Sequence, residues 1–470
     1  MRSRCVDRCR WSLAWVLLFW LLGLPVACLA SLRSEIDDLL AARELRHATV
    51  GLHVVDSGTG EVLYSRNPDA LLLPASNTKI VTTAAAYELL GGDFRAPTRV
   101  LAQTKPTAEG VVTGPLYLRG GGDPTLTHDK LADMAQRLYK SGLRKVTGPV
   151  VADGTAFSDA SLGTGWHWQY LNDGYAAEFG ALTVDSGCVT VILRGAETPG
   201  KPPLFRLEPF SEYLKLDPEA TTTSGDAKPG AFRSLGRNLV SLTGPIGVNQ
   251  RIETSLTVRQ PALYCATLFR IALVKAGIEV GGDVLSGRTP ADDVKLLQVD
   301  SPPLVEILQR INKNSDNNAA EIVLRDISMA AKGVGSCGAS AALIAQWAAG
   351  FGADVEGVSL ADGSGLSRST TITARFFVQV LNHMQGRDAW VQTLPLMGKD
   401  GTLSSRLKGT AAEGRVRAKT GFISGVRSLS GYVHTKSGRR LTFSILVNQP
   451  QTTGAATAFQ NKVCLLLAGL

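Results

Sequence analysis

At 470 residues the chain has room for two or three domains, and a composition of 44% apolar and 19% charged residues without a low-complexity tract is that of an ordinary globular protein. The formal net charge of +8 is a mild excess, and no basic run with interleaved aromatics argues for nucleic-acid binding. The six histidines (His47, His53, His128, His167, His383 and His434) show no His-x-x-x-His spacing, so a metal site is not expected; the site read below needs no cofactor.

Arg2, Arg4, Arg8 and Arg10 precede an apolar run from Trp11 to Ala30 whose only clearly polar member is Ser12. Small residues before position 31 suit cleavage after Ala30, so residues 1–30 read as an export signal. A run of 20 residues is also just long enough to span a bilayer, which leaves an uncleaved anchor open. Cys28 follows Pro25-Val26-Ala27, a poor match to a lipoprotein site. Cleavage removes four arginines and one aspartate and lowers the net charge from +8 to +5, which suits peripheral association with an anionic wall or membrane surface. Cys188, Cys265, Cys337 and Cys464 remain, widely spaced; one or two disulfides and buried free thiols both stay open.

Residues 31–47 read as an exposed amphipathic helix carrying Ile36, Leu39, Leu40 and Leu45. Alternating Val50, Leu52 and Val54, the turn Ser57-Gly58-Thr59-Gly60 and the return Val62-Leu63-Tyr64 predict a hairpin. An apolar run then ends at Pro74, and Ile80 to Leu90 is apolar nearly all round before Gly91-Gly92, which predicts a buried helix. Ser76 and Lys79 fall at i and i+3 at its start, one turn apart on one face. Free N–H groups and the helix dipole favour negative charge at Ser76, and a lysine in an apolar wall loses its proton more easily and can serve as a base.

The stretch 93–285 is rich in short strand and turn signals and predicts an inserted region of two small domains. A helical pattern from Pro303 to Asn314 breaks at the polar cluster Asn312–Asn318 and resumes at Ala319, presenting Ser315, Asp316 and Asn317 on a knuckle between helices. Strands are predicted near 415–418, 428–434 and 440–448, the first running into Lys419-Thr420-Gly421, where a small Gly421 admits a ligand backbone to the strand edge. An apolar helix over 455–467 closes the chain.

Ser-x-x-Lys, Ser-x-Asn and Lys-Thr-Gly in this order are the parts of a serine acyl-transfer site that uses lysine in place of histidine, which disfavours a histidine triad here. Each string alone has a decoy: Ser405–Lys408, Ser65–Asn67 and Lys436–Gly438. Context rejects them, since the first lies among polar, solvated residues and the other two read as turns closing strands.

With Pro74-Ala75 before the first string, the chain resembles the penicillin-binding proteins and serine β-lactamases. Ser76 and Ser315 are 239 residues apart, and Arg119-Gly120-Gly121-Gly122-Asp123-Pro124, Ala361–Arg368 and Asp400-Gly401-Thr402-Leu403 narrow the resemblance to the class C low-molecular-mass penicillin-binding proteins, the D-alanyl-D-alanine carboxypeptidase/endopeptidase family. That resemblance implies an α/β fold (an α+β sandwich), with a penicillin-binding protein/serine β-lactamase-like domain from residues 31–92 and 286–470 and the insertion at 93–285. It implies a periplasmic D,D-peptidase acting on peptidoglycan stem peptides and cross-links, acylated by β-lactams. It assigns Ser76 as nucleophile, Lys79 as base, Ser315 as proton relay and Lys419 as a nearby positive charge. Asn317 would hold the substrate amide, Thr420 the terminal carboxylate beside Gly421, and the backbone N–H groups of Ser76 and Phe422 the oxyanion. Arg368 is a further candidate for a substrate carboxylate, and Asp362 is expected to hold its glycine-rich loop together. Phe422 stands where many relatives carry Ser or Thr, so a hydroxyl is missing there. The rivals are a serine β-lactamase, which would need a water-activating group not evident after Ser315, and a non-catalytic wall-binding or sensing relative, against which the intact strings argue.

Overall fold

The structure, a computed structural model, describes residues 30–470. The expected leader lies outside the described residues except for Ala30. Among the described residues, no helix is long and apolar enough to cross a membrane. The chain divides into two compact units, one of residues up to Leu72 with Thr373–Asn382 and Pro395–Leu470, the other of Leu73–Ile372 with His383–Leu394.

The first unit is built on an antiparallel sheet to which both chain ends contribute. Strands β1 (Thr49–Asp56) and β2 (Val62–Arg66) form the expected hairpin. Strands β3 (Pro97–Ala102), β4 (Leu116–Gly120), β5 (Val150–Asp153), β6 (Val284–Ser286) and β7 (Val294–Asp300) lie in the second unit, and β8 (Val416–Ile423), β9 (Val426–His434) and β10 (Arg440–Asn448) return to the first. The order of the first sheet is β8-β9-β10-β1-β2. Register pairs Val50 with Val447, Leu52 with Ile445 and Val54 with Phe443, which gathers large apolar groups on one face. That face packs on helix α1 (30–40), through Leu32 and Ile36, and on the C-terminal helix, through Phe459, Val463 and Leu467. The intervening positions are small or polar, including Gly51, His53, Ser430 and Ser444, the last two joined by a 2.8 Å hydroxyl contact. Helix α1 stops short of the expected 47: Ala42 turns extended (φ −55°, ψ 138°), and a single 3-10 turn, Arg43–Leu45, rotates Leu45 into the core.

The second unit contains helix α2 (Thr78–Leu90), buried continuously from Thr78 to Ala86 and ended by Gly91 at φ 86°. Its threonines pair inward: Thr83 Oγ1 donates to the Lys79 carbonyl at 2.6 Å and accepts from Asn312 and Trp390. A mixed sheet of order β6-β5-β4-β3-β7 is covered by α3 (His128–Lys140) and α4 (Pro261–Lys275), with Leu131, Met134, Leu138, Leu268, Phe269 and Leu273 in one core. Smaller sheets from 188–194 with 204–208 and 251–257, and from 215–218 with 230–233 and 239–243, supply the short strands expected of the insertion. Helices α5 (Leu304–Asn314), α6 (Asn317–Lys332) and α7 (Cys337–Gly350) follow, and α8 (Ala374–Met384), α9 (Asp388–Val391) and α10 (Thr453–Gly469) complete the chain. All four cysteines of the described chain are free thiols, Cys265 and Cys464 being fully buried.

Candidate active site

Ser76 does not lie on the first turn of α2 proper. Pro74 is followed by a 3-10 turn, Ala75–Asn77, and Thr78 begins the α-helix. Ala75 has φ 47°, a strained value for a residue with a side chain, and it bends the chain immediately before Ser76. The Thr78 hydroxyl secures the bend by donating to the Ala75 carbonyl at 2.9 Å.

Lys79 projects from the first turn of α2 and is completely buried. Its Nζ donates to Ser76 Oγ at 3.1 Å, to Asn317 Oδ1 at 2.6 Å and to the Ser364 carbonyl at 2.7 Å. Burial pushes its pKa down from 10.5 to about 8, against the pull of Asp362, Glu321 and Asp316, which favour the ammonium. A buried amine of this basicity, in contact with a serine hydroxyl, can take the hydroxyl proton near neutral pH.

Ser315 and Asp316 are the whole knuckle between α5 and α6. Ser315 occupies the left-handed region (φ 59°, ψ 38°) as the C-cap of α5. Asp316 caps α6, accepting from the Ala319 N–H at 3.0 Å, and its second oxygen pairs with Arg310 at 2.6 Å. This anchoring puts Asn317 on the first turn of α6, where Oδ1 meets Lys79 and Nδ2 donates to the Tyr175 carbonyl at 2.7 Å. Its Nδ2 carries a second proton, which a substrate carbonyl can accept.

The glycine-rich segment Asp362–Ser367 closes against the same helices. Asp362 accepts from Ser367 N, Ser364 Oγ, Thr370 Oγ1 and Trp166 Nε1, the role expected of it. Thr82 Oγ1 donates to the Gly363 carbonyl at 2.8 Å, one turn of α2 after the Lys79–Ser364 contact. Gly365 lies so close to the bend at Ala75 that a Cβ there would sit 1.9 Å from the Ala75 carbonyl oxygen. Arg368, at the end of this segment, is exposed, and its backbone N–H donates to Gly165.

The remaining expected residues belong to the first unit. Lys419, Thr420, Gly421 and Phe422 run in register along β8, paired with Ser430, Leu429, Ser428 and Arg427 of β9. Lys419 is fully buried and donates to the Thr420 carbonyl at 2.9 Å. Thr420 Oγ1 lies 2.8 Å from Thr402 Oγ1, so the Asp400–Leu403 segment supports that hydroxyl. The Phe422 ring is 60% exposed, with the Arg427 guanidinium 3.4 Å above its centroid.

The decoys are separated as expected from their surroundings. Ser405 and Lys408 are both exposed in a turn, and Gly438 (φ 87°) sits in the β9–β10 turn. Sequence reasoning missed Ser364, whose contribution is a backbone carbonyl, and Glu321. The only local signal for Glu321 was its i+4 spacing from Asn317, one turn along the same face of α6. Among the described residues no cluster of three or more His, Cys, Asp or Glu has the arrangement of a metal site.

The chain as a whole is similar to known proteins. The profile of the D-Ala-D-Ala carboxypeptidase 3 (S13) family matches residues 32–468. A D-alanyl-D-alanine carboxypeptidase of Actinomadura sp. (strain R39) is 39% identical over 463 residues, 94% of this chain and 85% of that protein. D-alanyl-D-alanine carboxypeptidase DacB of Haemophilus influenzae is 28% identical over 422 residues, 85% of each. The crystal structure of penicillin binding protein 4 (dacB) from H. influenzae superposes with a TM-score of 0.83 at 25% identity, covering 93% of this chain and 99% of the other.

Proposed function

We propose, for a chain that belongs to the D-Ala-D-Ala carboxypeptidase 3 (S13) family, that hydrolysis runs through an acyl-enzyme on Ser76 with Lys79 as its base. The protein is a serine-type D-alanyl-D-alanine carboxypeptidase of the low-molecular-mass class C penicillin-binding proteins, with the penicillin-binding protein/serine β-lactamase-like fold. The observation that carries the mechanistic reading is the buried Lys79 ammonium, 3.1 Å from Ser76 Oγ, with its pKa lowered to about 8.

Ser76 attacks the carbonyl carbon of the terminal D-Ala-D-Ala bond while Lys79 accepts its proton. Ser315 passes a proton to the departing amine, and the C–N bond breaks to release D-alanine and leave an ester on Ser76. Water then hydrolyses the ester. Asn317 holds the amide of the stem peptide, Lys419 supplies positive charge, and Thr420 receives the terminal carboxylate beside Gly421. The Ser76 and Phe422 N–H groups stabilise the oxyanion; a donor of this kind is typically worth about 2.7–4 kcal/mol of barrier. Arg368 is the candidate for a second substrate carboxylate, supported by its exposure at the end of the Asp362 segment. Cross-links of the same D,D chemistry fall within this reaction.

β-Lactams acylate the same serine; a β-lactam complex has been described for penicillin binding protein 4 of H. influenzae. The N-terminal signal supports a periplasmic location, and the mild basic excess supports peripheral association with wall or membrane. Labelling with a fluorescent penicillin tests the assignment. The wild type is expected to carry a lasting covalent label and S76A none; a labelled S76A would overturn it.

A further inference from the structure

Lys79 has three acceptors: a serine hydroxyl, an asparagine oxygen and the Ser364 carbonyl. The third comes from a loop 285 residues away and needs its own fixture. Glu321 supplies one. Its Oε1 accepts from the Gly363 N–H at 3.0 Å and the Ser364 N–H at 2.9 Å, a two-pronged grip on the segment whose next carbonyl meets Lys79. Glu321 is fully buried, on the same face of α6 as Asn317 and one turn further along. The two side chains therefore address Lys79 from one helix face, Asn317 directly and Glu321 through a peptide.

The charge on Glu321 is held by a buried chain. Its Oε2 pairs with Arg325 Nη1 at 3.0 Å, and Arg325 Nη2 pairs with Asp159 at 2.9 Å. Arg325 is 2% exposed and lies 4.3 Å over the Phe179 ring. Burial and then the neighbouring Asp362 push the Glu321 pKa up, while Arg325 and the Ser364 and Gly363 hydrogen bonds resist. A carboxylate that is expensive to bury persists here with every oxygen engaged, beside a lysine whose basicity matters. The charged groups acting on Lys79 within this unit are Asp362, Glu321 and Asp316, and each favours its ammonium form.

We propose that Glu321 is a positioning residue for Lys79, fixing the Gly363–Ser364 peptide with one carboxylate oxygen, Oε1, and favouring the lysine's ammonium form with its charge. This rests on Lys79 being the base in the reaction described above. The role divides into charge and reach, which two substitutions separate. Glu321→Gln keeps an oxygen where Oε1 stands but removes the charge. Glu321→Asp keeps the charge but falls one methylene short of the two N–H groups.

The measurement is the second-order rate of acylation by a fluorescent penicillin across pH 5.5–9.5, with thermal melting of each variant. E321Q is expected to move the acid limb to lower pH by about 0.5–1 unit, because one carboxylate favouring the ammonium is gone. E321D is expected to keep the wild-type limb and lower the plateau about 10-fold or more, because the peptide is no longer gripped. A merely structural glutamate would lower melting temperature and plateau together in both variants with the limb unmoved, and that result overturns the proposal. If E321Q does not fold, E321D decides: a wild-type plateau, or a lowered plateau accompanied by a lowered melting temperature, overturns the proposal, and a lowered plateau on an unshifted limb at the wild-type melting temperature supports it. S76A separates the underlying reading, since acylation surviving there removes Lys79 from the chemistry altogether.

Discussion

Lys79 Nζ and the Ser364 carbonyl oxygen stand 2.7 Å apart, and with Asn317 Oδ1 at 2.6 Å and Ser76 Oγ at 3.1 Å they saturate the three donors of an ammonium. The two shorter bonds hold the nitrogen, and the longest points at Ser76 Oγ. On deprotonation, the amine keeps two N–H bonds for Asn317 and Ser364 and turns its lone pair toward Ser76. The site is thus arranged so that loss of one proton converts a donor to Ser76 into an acceptor from it.

The rate of acylation should follow that proton. Burial lowers the Lys79 pKa from 10.5 to about 8, and in the proposed reaction the neutral amine is the active form. Acylation by penicillin is expected to rise about tenfold per pH unit below about 8 and to level above it. Stopped-flow acylation from pH 6 to 9.5 checks this, and a flat profile would count against Lys79 as base. Lys79→Ala is expected to lower the plateau by 10²-fold or more, in the range of a lost general base.

Gly365 is the tightest approach of the loop to the nucleophile's bend. It has φ 81°, and an added Cβ would lie 1.9 Å from the Ala75 carbonyl oxygen, a backbone atom that cannot swing aside. Gly365→Ala is expected to displace the Ser76 turn and reduce acylation by about 10²-fold, since a shift near 1 Å at a reacting group costs about that much. Gly454, which has nothing within 4 Å of its Cβ position, serves as a control whose alanine variant keeps full activity.

Ser315, the proton relay of the proposed reaction, also meets a conformational demand. Its φ of 59° suits glycine better than serine. Ser315→Gly and Ser315→Ala should both lose the relay hydroxyl and fall in activity by about 10²–10⁴-fold. Their stabilities should differ, with the glycine variant about 1 kcal/mol more stable than the alanine variant in urea unfolding. Equal stabilities would mean that the left-handed conformation carries no cost there.

The helix, knuckle and strand that bear the three strings were legible because each has a local signature. Ile80–Leu90 is apolar nearly all round and stops at Gly91, Asn312–Asn318 interrupts a 3.6-residue period, and Arg415–Ala418 runs into Lys419-Thr420-Gly421 as strand material. What escaped notice depends on pairing across long separations. The Ser364 contribution is a main-chain carbonyl, which no side-chain pattern announces, and Glu321 grips a peptide 42–43 residues later. The bend at Ala75 was also missed. Pro74 reads as a helix start, whereas the 3-10 turn through Ser76 is fixed by Thr78 and by the approach of Gly365. Helix α1 fell short of 47 for a similar reason, because burial of Leu45 outweighed a continuous amphipathic pattern.

A pH dependence unrelated to catalysis is expected from His53 on β1. It is 4% exposed on the small-residue face of the first sheet, with Nδ1 3.2 Å from Ser65 Oγ. Burial, then the nearby Arg375 charge, lower its pKa from 6.5 to about 4, while Asp69 pulls the other way. The folded protein therefore keeps His53 neutral where the unfolded chain takes up a proton. Its contribution to stability is complete above pH 6.5, declines as pH falls from 6.5 to about 4, and is exhausted below that. The Asp69 carboxyl, held below its ordinary 3.8 by its hydrogen bonds from Arg375, titrates beneath this window. Melting temperatures measured from pH 7.5 to 4.5 should fall more steeply for wild type than for His53→Gln, which retains a polar partner for Ser65 but cannot ionise. Parallel curves for the two proteins would show that His53 is protonated in the fold at ordinary values.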